Sequence, residues 1–125
     1  MEWLIKIGLA IAGIIHFLPL SGLAGASQLE KLYGISVADP GLLILMKHRA
    51  VMFGILGTLM IVAIFAASLR TTAICAGLVS TVAFIVIAAL QGNYPPAIRT
   101  VVIADWVAIA GLAAAAIVHF AGKSA

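Results

Sequence analysis

The sequence predicts an all-α integral membrane protein: one domain over residues 1–125, with four transmembrane helices in an up-down-up-down bundle and a short interfacial helix in the first loop. Three observations predict it. Apolar residues make up 65% of the chain and charged residues only 9%, whereas a soluble domain is about a quarter charged. Four apolar runs, at about 3–22, 40–68, 72–91 and 97–120, reach the roughly 20 residues that a spanning helix needs. The formal charge of +3 comes from seven Lys and Arg scattered near the ends of these runs. That placement suits lipid headgroups and gives no basic face for nucleic acid.

The first run starts at Trp3. Its segment Met1–Ala26 also has the outline of a secretory leader, with Lys6, an apolar stretch and Ala24-Gly25-Ala26, but it is read as the first span. Gly8 and Ala12 give a small-xxx-small spacing that lets a neighbouring backbone approach. Ala12 and Gly13 lie one turn before His16, which directs that imidazole into a helix interface. Pro19 cannot bond the Ile15 carbonyl, so the helix should kink or end there.

In the first loop, Ser27-Gln28-Leu29-Glu30 has the capping-box pattern. Leu29, Leu32 and Tyr33 then share one side and Gly34 can close the turn, which gives a short helix lying in the interface. The second span opens with Asp39 as N-cap and Pro40 at the first helical position. Running to about Ser68, it would be roughly 45 Å long and would tilt or project from the hydrocarbon layer. Ala50, Gly54 and Thr58 form its small-residue ridge.

A tight turn at Ser68–Thr71 leads into the third span, with Ala76, Ser80 and Ala83 as the expected packing edge. Ser80 and Thr81 can bond their own backbone four residues back, so they need no functional explanation. Gly92-Asn93-Tyr94-Pro95-Pro96 is a loop. The fourth span places Ala104, Ala108, Gly111 and Ala115 on one broad side.

Threaded this way, the chain places more of its polar side chains at one membrane face. His16, Asp105, the run Lys47-His48-Arg49, Asn93 and Arg99 all fall toward the face opposite the termini. The terminal face carries Lys6, Arg70, His119 and Lys123. A bare Asp at mid-membrane costs about 2.5–3.5 kcal/mol, so Asp105 needs a partner, a proton or water. Arg49, Arg99 and His16 are its candidate partners. His16 and Asp105 are the candidate catalytic groups, and Lys47, His48, Arg49, Asn93 and Arg99 complete the candidate ligand-binding set. Interfacial snorkelling accounts better than chemistry for at least two of Lys47, His48 and Arg49, and an interhelical hydrogen bond accounts for His16 as well as a ligand contact does. No phosphate loop, His-Glu-x-x-His or Gly-x-Ser-x-Gly motif is present. With one cysteine, Cys75, the chain can form no intramolecular disulfide, and a structural zinc or di-metal centre is not expected.

Three functions are compatible with this pattern. One is a pocket for a small amphiphile such as a quinone, lipid or sterol-like compound, with proton-coupled chemistry at His16 or Asp105. The second is electron transfer by a b-type haem held between His16 and His48. The third is a non-catalytic assembly subunit of a homo-oligomer or larger membrane complex. The stretches Ile15-His16-Phe17-Leu18-Pro19, Leu32-Tyr33-Gly34, Asp39-Pro40 to Gly57, Gly77-Leu78-Val79-Ser80 and Arg99 to Asp105 resemble a group of small, largely uncharacterised bacterial four-helix membrane proteins. In architecture the chain is similar to DoxX-like proteins. That resemblance implies a bacterial inner-membrane bundle and, through the quinone-linked thiosulfate oxidation of some DoxX-type proteins, a quinone as one ligand to expect. Lys and Arg number three on the terminal face and four on the other, so the positive-inside count does not orient the chain. Assigning the cations of the second and fourth spans to a site leaves Lys31 alone there, which places the termini in the cytoplasm.

Overall fold

The computed structural model describes residues 1–124, and among them the chain is helical throughout with no strand. Five α-helices follow one another: α1 (Glu2–Phe17), α2 (Ala26–Tyr33), α3 (Pro40–Phe65), α4 (Arg70–Gln91) and α5 (Pro96–Ser124). Two 3₁₀ segments, Leu18–Ala24 and Ala67–Leu69, link α1 to α2 and α3 to α4. Four helical segments are long and apolar enough to cross a membrane, the first only when α1 is taken together with its 3₁₀ extension to Ala24. They fit a multi-pass membrane protein. Their outward faces carry large apolar side chains such as Ile14, Phe65, Val79, Leu90 and Ile117. In water such a surface would aggregate; against lipid tails it costs nothing.

The element boundaries follow from local chemistry. Pro19 ends α1 as expected, but the chain tightens to 3₁₀ instead of unwinding. The Leu18 N–H donates to the Ile15 carbonyl, the acceptor that Pro19 leaves without its usual partner. The expected capping box does not form. Helix α2 starts at Ala26, one residue before Ser27, with Gly25 as its N-cap and no side-chain cap. Glu30 instead accepts from the Val37 N–H at 3.3 Å, which secures the extended link to α3. Asp39 does cap α3, accepting from the Leu42 N–H at 2.8 Å, with Pro40 behind it. Helix α3 stops at Phe65 rather than Ser68, because Ala66 is extended. Arg70 covers that end: its guanidinium donates to the carbonyls of Ala63 (3.3 Å) and Ile64 (3.2 Å), and to Glu2 at 2.9 Å.

Helix α1 is the centre of the packing, lying against α5 on one side and α3 on the other, while α4 closes onto α5 and α3. The core is Ile5, Leu9, Ala12, Met60, Ala63, Ile74, Ala108, Leu112 and Ala115 with their neighbours. Close approach of backbones sets this geometry. A methyl group at Gly8 would strike the Gly111 carbonyl oxygen and lie 3.0 Å from Ala115 Cβ. A methyl group at Gly77 would meet Met60 Cε at 2.6 Å and Leu112 Cδ1 at 2.8 Å. The packing edge of α4 is Ala73, Ile74, Gly77, Thr81 and Ala88, while Ala83 is exposed. It lies to one side of the expected Ala76–Ser80–Ala83 line because Gly77, the smallest residue, takes the position facing Met60. Thr58 likewise faces outward, its hydroxyl bonded to the Gly54 carbonyl at 2.8 Å.

A second, smaller cluster sits at the other end from Arg70. Leu29, Tyr33 and Val37 are buried there against Leu42, Leu43, Met46, Ile98 and Val101. Helix α2 is thereby fastened to the starts of α3 and α5, and this fixes the position of Tyr33.

Candidate functional site

A cavity of about 140 Å³ opens among α1, α2, α3 and α5, and His16, Tyr33, Arg49, Phe53, Val101 and Asp105 all line it. Each side chain reaches it for a local reason. His16 follows the small residues Ala12 and Gly13, which bring α1 close to α3. Arg49 and Phe53 are one turn apart on α3, so they share a face. Asp105 lies one turn before Ala108, on the inward side of α5. Tyr33 is carried in by the burial of Leu29 and Val37.

His16 is 2% exposed and bonded at both ring nitrogens. Nδ1 lies 2.8 Å from the Ala12 carbonyl, which can only accept, so Nδ1 carries the proton. In the neutral ring Nε2 is then the acceptor, and the Ser80 hydroxyl donates to it across 3.2 Å from α4. The imidazole is an interhelical brace whose ring also forms part of the cavity wall. Ser80 therefore does not bond its own backbone, although Thr81 does, to Gly77 at 2.9 Å.

Arg49 is held without a carboxylate. Its Nη1 donates to the Tyr33 hydroxyl at 2.6 Å. Its guanidinium carbon lies 4.6 Å from the Phe53 ring centroid, 5.0 Å from that of Tyr33 and 5.6 Å from that of Phe84. Ring faces within about 6 Å attract a cation and stand in for a counter-ion where water is scarce. Asp105 is the opposite case. It is 8% exposed and makes no hydrogen bond or ion pair among the described residues, where the one salt bridge is Arg70–Glu2. No side-chain oxygen or nitrogen among those residues is sealed away without a partner, so the Asp105 carboxyl oxygens border open space. That space is the cavity, with Arg49 on another of its walls.

The structure thus brings together three of the sequence-predicted residues, His16, Arg49 and Asp105, and leaves four outside the lining. Lys47 is half-buried and His48 exposed, since steps of about 100° turn them away once Arg49 points inward. Asn93 is exposed in the α4–α5 loop, and Arg99 is exposed on the outer side of α5. Neither Arg99 nor His16 pairs with Asp105. The two candidate haem ligands are not brought together on the cavity: His48 is exposed and lines no part of it, and both His16 nitrogens are already engaged. Among the described residues no group of three or more His, Cys, Asp or Glu could hold a metal ion.

Sequence reasoning missed Tyr33, Phe53 and Phe84. Phe53 was accessible to it as the aromatic partner of Arg49 at i,i+4; Phe84 comes from a distant helix and had no such signal. The terminal end is also better ordered than the sequence implies. The Thr71 hydroxyl meets His119 Nε2 at 2.8 Å and Lys123 Nζ at 2.9 Å.

Fold and cavity together fit a helical, multi-pass membrane protein with Arg49 and Asp105 on two walls of a largely apolar pocket. The chain matches no family model, no curated protein and no solved structure.

Proposed function

We propose that this chain is a bacterial inner-membrane protein, DoxX-like in architecture, whose pocket binds a small amphiphilic ligand such as a quinone, a lipid or a sterol-like compound. In this reading the four spans run up-down-up-down, both termini are cytoplasmic, and α2 lies in the opposite interface. Contacts of Glu2 with Arg70 and of Lys123 with Thr71, which gather both chain ends at the start of α4, support that arrangement. The observation that carries the reading is Asp105, buried, without a hydrogen-bond or ion-pair partner among the described residues, and lining the cavity. A charged or polar group at that depth is stabilised by a partner, and a ligand headgroup supplies one. Apolar walls hold the body of the ligand, and Arg49 anchors its head. Where the ligand exchanges a proton, Asp105 is the group placed to carry it, because the His16 nitrogens are committed to Ala12 and Ser80.

The test is native mass spectrometry of the protein extracted in mild detergent, which reads bound small molecules and subunit number together. The wild-type chain is expected to retain a ligand. Asp105→Asn and His16→Ala should each lower that retention while helical content by circular dichroism stays unchanged. Full retention in both variants overturns the pocket.

A further inference from the structure

We propose that the occupant of this cavity has an uncharged, hydroxyl-bearing head the size of one six-membered ring, which accepts a hydrogen bond from Arg49 and donates one to Asp105. The proposal deepens the pocket reading and rests on it. Size comes first. The cavity measures about 140 Å³, and a cavity of roughly 150 Å³ holds benzene. One ring fills it, whereas a fused-ring body would have to extend beyond it. The walls agree with a flat head, since Tyr33 and Phe53 present aromatic surface to the same space.

Charge comes second. Arg49 and Asp105 both border the cavity, yet no ion pair joins them. A phosphate or carboxylate head would gain Arg49 and lie against Asp105. An ammonium head would gain Asp105 and lie against Arg49. A zwitterionic head could pair with both but offers no flat face to Tyr33 and Phe53, so the head that suits all the walls without setting like charges together is an uncharged one. Hydrogen-bond chemistry then fixes its polarity. A guanidinium has donors and no acceptor, while a carboxylate has acceptors and no donor. The head must therefore accept on one side and donate on the other, as a phenolic hydroxyl does. The cavity is not sealed, and its remaining lining, Ile15, Leu18, Leu32 and Val101 among it, is apolar, which suits an apolar tail.

The experiment uses the full chain in lipid nanodiscs with four probes: nonylphenol, its methyl ether, myristic acid and cholesterol. Nonylphenol is expected to bind saturably, one per chain. The ether, which cannot donate, should bind about tenfold more weakly, the effect of losing one hydrogen bond to a charged acceptor. Myristic acid and cholesterol should not displace nonylphenol. In Asp105→Asn the phenol-to-ether preference should fall to near one, because the amide can donate to the ether oxygen. Asp105→Ala should lose the preference too, and circular dichroism reports whether each variant is folded. Equal binding of phenol and ether to the wild type, a preference that persists in both folded variants, or displacement by myristic acid or cholesterol overturns the head chemistry and leaves the pocket standing. If none of the four probes binds saturably, the pocket reading fails with it.

Discussion

His16 shows how a polar side chain is accommodated among apolar helices. Its Nδ1–H closes onto its own helix at Ala12, and its Nε2 draws a hydroxyl from Ser80, 64 residues further on. Hydrogen bonds between membrane helices average about 0.6 kcal/mol and reach about 1.7 kcal/mol. The His16–Ser80 bond is expected to fall in that range. A double-mutant cycle of His16→Leu and Ser80→Ala, read by unfolding in sodium dodecyl sulfate, should give a coupling energy of about 0.5–1.5 kcal/mol. A coupling of zero would mean the two side chains act independently. Arg49 is accommodated differently, by ring faces and one phenol hydroxyl, which leaves its remaining donors for whatever enters the cavity.

At the scale of the helix, glycine decides how closely the rods lie. Gly8 on α1 faces the Gly111 backbone of α5, whereas a methyl group at Gly122 would meet nothing within 4 Å. Gly8→Ala is expected to cost about 1–3 kcal/mol, since the colliding atoms are backbone and cannot rotate away. Gly122→Ala should be neutral or slightly stabilising. The same detergent titration measures both, and equal effects would show that the α1–α5 contact does not limit stability. Much at this scale was legible from sequence. Apolar run length located four spans, Asp39-Pro40 marked the start of α3, and Pro19 marked the end of α1. The cavity was legible in part. His16 and Asp105 stood out because a polar group inside an apolar run needs a reason. The rotation of α4 about its axis did not, since its alanines, Ser80 and Thr81 offer small surfaces on several sides and only Met60 and Leu112 of other helices select Gly77. For the same reason Ser80 could not be recognised as the partner of His16. Tyr33 and Phe84 came to Arg49 from separate helices, and spacing within one run carries no such information.

For the molecule as a whole, the proposed threading makes a definite statement about sidedness. Ser36, Ser68 and Ser124 are exposed, in the α2–α3 link, the α3–α4 turn and the last turn of α5. Placed as single cysteines in a Cys75→Ala background, Ser68→Cys and Ser124→Cys should react with an impermeant maleimide from one side of sealed vesicles. Ser36→Cys should react only from the other. Labelling of all three from the same side would rule out the up-down-up-down course and the separation of the Arg70 end from the Arg49 cavity. Arg70 also bears on how such a chain is assembled. Its bonds to Ala63 and Ile64 span only seven and six residues, so the α3–α4 hairpin can be fastened as soon as those two segments have left the ribosome. The bond to Glu2 spans 68 and needs the oldest part of the chain to be waiting alongside. The hairpin can thus be fastened within itself before it docks onto α1, and any lengthening of its three-residue 3₁₀ link would unfasten the catch rather than merely slacken the tether.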